Sequence, residues 1–236
     1  MDGTTKKSDP TFKCRYCEKE FRKESTLSAH LCENKRRFQQ QNETGVQLGF
    51  KSYLRFYEIT QGSARLKTYE DFVASPYYNA FVKFGRHLVG IRCVSTVSFI
   101  DWLLKNNKKL DQWCKDTFYD EWLFDYLRRE NYKDALERGI KEMEDYANEH
   151  TDLKNGFSDY FRYGSSNKIC YHITTGRISP WVVLCCDSGI KFLESLNEEQ
   201  LTMIFAWIDP DFWNSKFQSF VADQLDAREI LSAAGL

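Results

Sequence analysis

The chain lacks any long run of apolar residues. No stretch of about 18 consecutive apolar residues occurs in the 236-residue sequence, so we predict no transmembrane helix and no membrane partner. The first ten residues, MDGTTKKSDP, contain no apolar stretch either, so we expect no secretory signal. On both grounds we expect a soluble, intracellular protein in the cytoplasm.

Common catalytic signatures are also missing. The sequence contains no GxxxxGK[ST] phosphate loop and no GxGxxG, GxSxG or HExxH motif. Asp152, Leu153 and Lys154 have the spacing of a nuclease tail motif, but no upstream acidic partner lies on a credible strand, and chance explains the match. We therefore predict that the protein is not an enzyme; an undetected nuclease is the alternative.

The eight cysteines are distributed unevenly, and so is the charge. Without a secretory signal the thiols are expected to be reduced. Three of them, Cys14, Cys17 and Cys32, cluster near the start. Residues 1–50 hold ten Lys/Arg against seven Asp/Glu, a net +3, which leaves −4 for the rest of a chain of net charge −1. The basic end coincides with the cysteine cluster and hints at a polyanionic partner.

The segment with the most chemical information reads FKCRYCEKEFRKESTLSAHLC, residues 12–32. Two cysteines separated by two residues fit a tight turn from which both thiolates reach one tetrahedral ion. After twelve intervening residues, a helix can present His30 from the other side. Phe21 and Leu27 would supply a very small core. Because so small a unit cannot fold by burial alone, metal binding worth about 10–16 kcal/mol must contribute to its folding.

This pattern resembles the Cys2His2 zinc-finger family at every position through His30. The resemblance covers residues 12–34 and implies a ββα finger with one bound Zn²⁺. Beyond His30 the sequence departs from the family, which places its second histidine three to five residues later. Those positions hold asparagine, lysine and arginine here (residues 34–36), none of which is a good zinc ligand.

We predict that Cys32 is the fourth ligand, completing the set Cys14, Cys17, His30 and Cys32. On a regular helix, residues two apart point about 200° away from each other, so the helix must unwind at Leu31. The alternatives for the fourth position are Glu33, a remote thiol or a water molecule.

The resemblance also implies positions for nucleic-acid contact. The family's reading positions fall on Lys23, Ser25, Thr26 and Ala29, and of these Lys23 suits a phosphate or a guanine. Basic side chains on a continuing helix would suit phosphates as well. The predicted nucleic-acid-binding residues are Lys23, Thr26, Lys35, Arg36 and Arg37, with DNA favoured over RNA. Contact with a protein, or an ordinary solvated helix end, is the alternative.

The rest of the sequence predicts a helix-rich body, residues 50–236, joined to the finger module (1–38) by a polar linker, 39–49, that contains two glycines. Capping boxes such as Thr68 with Asp71 mark helix starts. Residues 168–174 and 178–186 read as two strands of a β-hairpin. The predicted fold class is α+β, mainly α: a ββα zinc finger and then a helical domain with one small β-hairpin near 168–186.

These features favour a non-enzymatic zinc-finger accessory protein that binds nucleic acid and whose helical body recruits a protein partner. In general style it is similar to small accessory proteins of tailed bacteriophages, which would place it in the host cytoplasm. The rival hypothesis is a protein-interaction or virion-assembly component in which the finger binds protein. The two differ in salt dependence, since phosphate contacts weaken steeply with added salt.

Overall fold

The computed structural model describes residues 11–62, 67–150 and 155–236. These residues are mainly helical, with one two-stranded hairpin at the N-terminal end, which confirms the predicted α+β, mainly α class. The strands are β1 (Phe12–Lys13) and β2 (Glu20–Phe21). The first helices are α1 (Glu24–Ala29), α2 (Glu33–Gln39), α3 (Thr44–Gln61), α4 (Tyr69–Ala74), α5 (Tyr78–Gly90), α6 (Thr96–Lys105) and α7 (Asp116–Arg129). The later helices are α8 (Tyr132–Glu149), α9 (Tyr160–Tyr163), α10 (Ser166–Thr174), α11 (Pro180–Cys185), α12 (Asp187–Glu194), α13 (Glu198–Ile208), α14 (Pro210–Ser219) and α15 (Val221–Ala233).

The chain divides into two compact units, Met1–Phe118 and Tyr119–Leu236. The hairpin and α1 therefore belong to the same unit as the helices that follow them, and the division falls inside α7 rather than in the segment 39–49. In the described part of the chain, no helix is both long enough and apolar enough to cross a bilayer.

Aromatic side chains form the core of the first unit. The ring of Phe84 lies 5.0 Å from that of Trp113, and the ring of Tyr53 lies 5.1 Å from that of Phe72. All four side chains are buried. Each of these large rings removes much apolar surface from water, so the contacts among them stabilise the first unit.

The segment 39–49 is not a linker, and this prediction was wrong. Helix α3 begins inside it, at Thr44, and Val46 is fully buried. A Cβ atom placed on Gly85 of α5 would lie 2.0 Å from the carbonyl oxygen of Gly45 and 2.4 Å from the backbone nitrogen of Gly49. The two glycines that suggested a flexible connection therefore allow α3 and α5 to approach closely.

The predicted β-hairpin near 168–186 is also absent, because both of its segments are helical. Residues 168–174 lie in α10, where Ile169 and Ile173 are buried at helical spacing. Gly176, at φ 72°, follows the end of α10, as glycine commonly does after a helix. Pro180 occupies the first position of α11, where the hydroxyl of Ser179 accepts a hydrogen bond from a backbone N–H. The residues between the two segments do interrupt the secondary structure, as predicted, but the elements on either side are helices and not strands.

The helix start predicted at Thr68 is confirmed. The capping box of Thr68 with Asp71 is present at the start of α4, with both reciprocal hydrogen bonds formed. The second unit has its own core around Trp181 and Trp213, whose ring centroids are 6.0 Å apart.

Candidate metal centre

The turn between β1 and β2 carries the first two cysteines. Phe12 lies opposite Phe21 in the antiparallel pair. The backbone N–H of Cys14 donates to the carbonyl of Lys19 at 2.9 Å, and the N–H of Glu18 donates to the carbonyl of Cys14 at 2.8 Å. Glu18 adopts a positive φ of 61°, which lets the chain reverse sharply. The spacing of two residues between the cysteines thus places both thiols on one tight turn.

The other two members of the group lie where α1 ends. His30 is extended (φ −71°, ψ 120°), and Cys32 is extended as well (φ −80°, ψ 165°). On extended backbone, side chains two residues apart point to the same face. Leu31 between them is 60% exposed. The helix therefore ends one residue earlier than the sequence predicted, and the break allows an unusual His-x-Cys pair to converge.

Cys14, Cys17, His30 and Cys32 form a single group whose donor atoms all lie within 4.8 Å of one another. The Sγ of Cys17 is 3.3 Å from the Nε2 of His30. A tetrahedral zinc site with Zn–S bonds of about 2.3 Å needs donor atoms about 3.8 Å apart, so small side-chain adjustments suffice. These four residues are positioned to bind a metal ion. Across residues 11–62, 67–150 and 155–236, no second group of this kind is found.

Crowding of the thiols shapes their electrostatics. A backbone hydrogen bond from Tyr16 lowers the pKa of the Cys14 thiol. For Cys17, a backbone hydrogen bond from Lys19 lowers the pKa, but burial and the neighbouring thiols of Cys14 and Cys32 raise it, and the net shift is upward. Negative charges placed this close together would repel one another, and a bound cation would relieve that repulsion.

The residues beside Cys32 have partners of their own, and these include Glu33, the alternative fourth ligand. Glu33 forms an ion pair with Arg37. The side-chain amide of Asn34 donates to the carbonyl of Tyr16 at 3.0 Å, which ties α2 to the cysteine turn. The Sγ of Cys32 lies in the group and also accepts the backbone N–H of Lys35 at 3.4 Å, which caps α2.

The core of the module is as small as the sequence predicted. The ring of Phe21 lies 4.7 Å from the imidazole of His30, yet both side chains stay partly exposed, as does Leu27. Within residues 11–43, Cys14 alone is buried. Because so little apolar surface is removed from water, a bound ion would have to supply much of the stability of this module.

The residues predicted to contact nucleic acid are placed in different surroundings. Lys23, Thr26 and Arg36 are exposed. Lys35 is partly buried, and its Nζ donates to the carbonyl of His30 at 3.0 Å. Arg37 is partly buried as well.

Arg37 is not available to a phosphate. Its side chain is 12% exposed, donates to the carbonyl of Val73, pairs with Glu33 and lies 4.4 Å from the ring centroid of Tyr78. The guanidinium instead joins α2 to α4 and α5. The prediction for this residue is corrected because a run of three basic residues on a helix cannot all face solvent when the helix packs against a neighbour.

Sequence reasoning missed the aromatic contacts between the cysteine turn and the helices. The ring of Tyr16 lies 5.1 Å from that of Phe38 on α2, which lies 5.6 Å from that of Tyr69 on α4. The Tyr69 hydroxyl donates to the carbonyl of Arg37 at 2.9 Å. One signal was present in the sequence: Phe38, an apolar ring directly after three basic residues, suits a packed helix face better than a solvated one.

Comparison with known proteins finds no matching family model, curated protein or solved structure.

Proposed function

We propose that Cys14, Cys17, His30 and Cys32 bind one Zn²⁺ in a finger of the Cys2His2 type whose second histidine is replaced by Cys32. The observation that carries this proposal is the convergence of four donor atoms within 4.8 Å. Thiolate and imidazole ligands in a tetrahedral arrangement suit zinc, and Cys3His is a common structural zinc set.

The ligand set supports a structural role for the ion. Catalytic zinc sites keep one coordination position for water or substrate, whereas four protein ligands complete the tetrahedron. Here the chain itself offers four donors. We also propose a non-enzymatic role for the finger, in which the ion stabilises the fold.

We infer that the partner of the finger is nucleic acid, DNA more than RNA, held mainly by its phosphates. Exposed cations lie close in sequence to the metal-binding group: Lys13, Arg15, Lys19, Arg22, Lys23 and Arg36. One finger covers about three base pairs, too few to specify a site, so backbone contacts would dominate. The neighbouring Thr26 is exposed on α1 and could add a polar contact.

A protein partner for the helical body is supported by apolar side chains on its surface. Met203 and Phe205 on α13 are exposed, and so are Val221 and Leu225 on α15. Val221 and Leu225 are four residues apart and so share one face of α15. Exposed apolar side chains on one face are typical of interaction surfaces. The rival function, a finger that binds protein, is favoured by one observation, the exposed Leu31 between the two C-terminal ligands.

The metal proposal is tested on the full chain purified without chelators. Elemental analysis should find one zinc per chain, and replacement with Co²⁺ should give the visible bands of a tetrahedral site with sulfur ligands. Cys14→Ser should lose both signals. Cys114→Ser, in the same unit but outside the group, is the matched control and should keep them. Wild-type protein without stoichiometric metal would contradict the proposal.

A further inference from the structure

The unit Tyr119–Leu236 contains an open cavity of about 500 Å³. It lies between the end of α7, the start of α11, one side of α14 and the beginning of α15. Cavities that hold small organic molecules commonly span about 300–1,000 Å³. The size of the cavity therefore suits a small ligand, and the side chains that line the cavity determine the chemical class of that ligand.

Aromatic rings form much of the wall. Trp181, Phe212 and Phe220 all line the cavity. The guanidinium of Arg128, another lining residue, lies 4.1 Å from the ring centroid of Phe124 and 4.3 Å from that of Phe212. Stacking of this kind holds a planar cation in place at the cavity wall.

Lys216 brings a second cation to the cavity. Its Nζ donates to the carbonyl of Arg128 at 2.7 Å and lies 5.0 Å from the ring centroid of Trp181. Burial lowers the pKa of Lys216 to about 8, although Glu130 and Asp223 oppose the shift. Among the residues that the structure describes, no carboxylate forms an ion pair with this ammonium group.

The one buried carboxylate at the cavity is already neutralised. Glu130, whose side chain is 1% exposed, accepts two hydrogen bonds from Nη2 of Arg138 at 2.9 and 2.7 Å, and one from the hydroxyl of Ser179 at 2.6 Å. Its charge is therefore matched by Arg138, outside the cavity lining. Arg128 pairs with Asp209 at 3.4 Å and Arg129 pairs with Asp125 at 3.1 Å, and Asp223 also lines the cavity. Lys216 is therefore the lining cation without an ion pair among the described residues.

Two further polar groups of the lining lack acceptors. The indole Nε1 of Trp181 and the Nε of Arg128 are buried and have no hydrogen-bond partner among the described residues. Both are donors. A buried donor without an acceptor is unfavourable, and a ligand that supplies acceptor oxygens would satisfy it.

We propose that this cavity binds a small organic carboxylate with a flat apolar body, its ring against Trp181 and Phe220 and its carboxylate towards Lys216. An ammonium group without an ion pair, donors without acceptors and aromatic side chains line one cavity. The first two suit the carboxylate of such a ligand, and the aromatic side chains suit its apolar body. The proposal concerns a site remote in sequence from the metal ligands and is independent of the function proposed for the finger.

The test uses naphthalene-1-carboxylate and its neutral carboxamide as probes, titrated into the full chain by calorimetry. The carboxylate should bind about tenfold tighter or more, the ratio expected for one charge-assisted hydrogen bond. Equal affinity of the two probes, or no binding of either, would overturn the proposal.

Variants locate the binding. Lys216→Met keeps most of the apolar stem and should reduce the preference for the carboxylate, whereas Lys191→Met, an exposed lysine on α12, should leave it unchanged. Because Lys216 also binds the carbonyl of Arg128, its loss could disturb the fold; Ser219→Trp, at the exposed rim, should block both probes without touching that bond. Unchanged carboxylate binding in folded Ser219→Trp would place the probe elsewhere and contradict the assignment.

Discussion

His30 and Cys32 present their side chains to the same face of an extended segment, although only Leu31 separates them. On a continuous helix the same two residues would point in nearly opposite directions. The end of α1 at Ala29 and the start of α2 at Glu33 leave a short extended segment that makes a His-x-Cys pair usable as ligands. The geometry of the backbone at this break therefore decides the ligand set.

The first prediction concerns the fourth ligand. Cys32→Ser should weaken zinc binding nearly as much as Cys14→Ser, because either change removes one of four donors. We expect a loss of at least about 100-fold, beyond the 10–100-fold typical of changes outside the ligand set. Competition with a zinc chelator of known affinity measures it.

Two neighbours of Cys32 serve as controls for this prediction. Leu31→Ala changes an exposed side chain, and Glu33→Gln removes the ion pair with Arg37 without touching the metal group. Both should keep close to wild-type affinity. If Glu33→Gln loses zinc as strongly as Cys14→Ser while Cys32→Ser keeps it, Glu33 is the ligand and our assignment is wrong.

The second prediction concerns the contact of α3 with α5. Gly85→Ala should destabilise the protein by about 1–3 kcal/mol or more, because the new Cβ would meet backbone atoms of α3. Gly90→Ala is the matched control on the same helix, where a Cβ meets nothing within 4 Å. It should be neutral or stabilising by up to about 1 kcal/mol through helix propensity. Thermal and urea unfolding distinguish the two; similar stabilities would contradict the close approach.

The glycines of α3 show where sequence reasoning reached its limit. Gly45 and Gly49 in a polar segment fit a linker and a helix contact equally well, and the choice depends on Gly85, which lies 36 residues beyond Gly49. The capping box at Thr68, which depends on residues three apart, was predicted correctly. The convergence of Cys14, Cys17, His30 and Cys32 was predictable for the same reason, since turn and helix spacing are local.

Arg37 illustrates the opposite case. Its partners Val73 and Tyr78 lie on two other helices, so nothing in the basic run itself separates Arg37 from exposed Arg36. The prediction of a hairpin near 168–186 was wrong for another reason. Glycine and proline indicate a break in secondary structure, but the same break occurs between two strands and between two helices. The error at Arg37 arises from tertiary packing, which periodicity alone does not encode. The error at 168–186 is local, because Ile169 and Ile173 are buried at helical spacing rather than at the spacing of a strand.

The third prediction compares two carboxylates near the end of α7. Glu130→Ala should destabilise the protein by about 3–5 kcal/mol, because it leaves Arg138, whose side chain is 18% exposed, without its carboxylate partner. Asp125→Ala removes an exposed ion pair with Arg129 and should cost about 0–1 kcal/mol. Denaturant unfolding monitored by circular dichroism measures both. Equal effects would show that the buried pair contributes no more than the surface pair.

The fourth prediction tests nucleic-acid binding by the finger. If Arg22, Lys23 and Arg36 contact phosphates, changing all three to alanine should weaken binding to any duplex or single strand alike. Each phosphate contact adds about 0.7–0.9 to the slope of log affinity against log salt, so the slope should fall by roughly two to three. Fluorescence titration at several salt concentrations measures it. Arg37 is left unchanged because its guanidinium is engaged within the protein.

The matched control removes the same charge from the other unit. Lys133, Lys168 and Lys191 are exposed, and their triple change to alanine should leave the salt slope at its wild-type value. If both triple variants lower the slope equally, binding reflects overall charge and the finger has no special part in it. If wild-type protein binds no nucleic acid at low salt, the proposal that the finger binds phosphates is wrong. The exposed Leu31 would then favour a finger that binds protein, since an apolar contact is insensitive to the salt that weakens phosphate contacts.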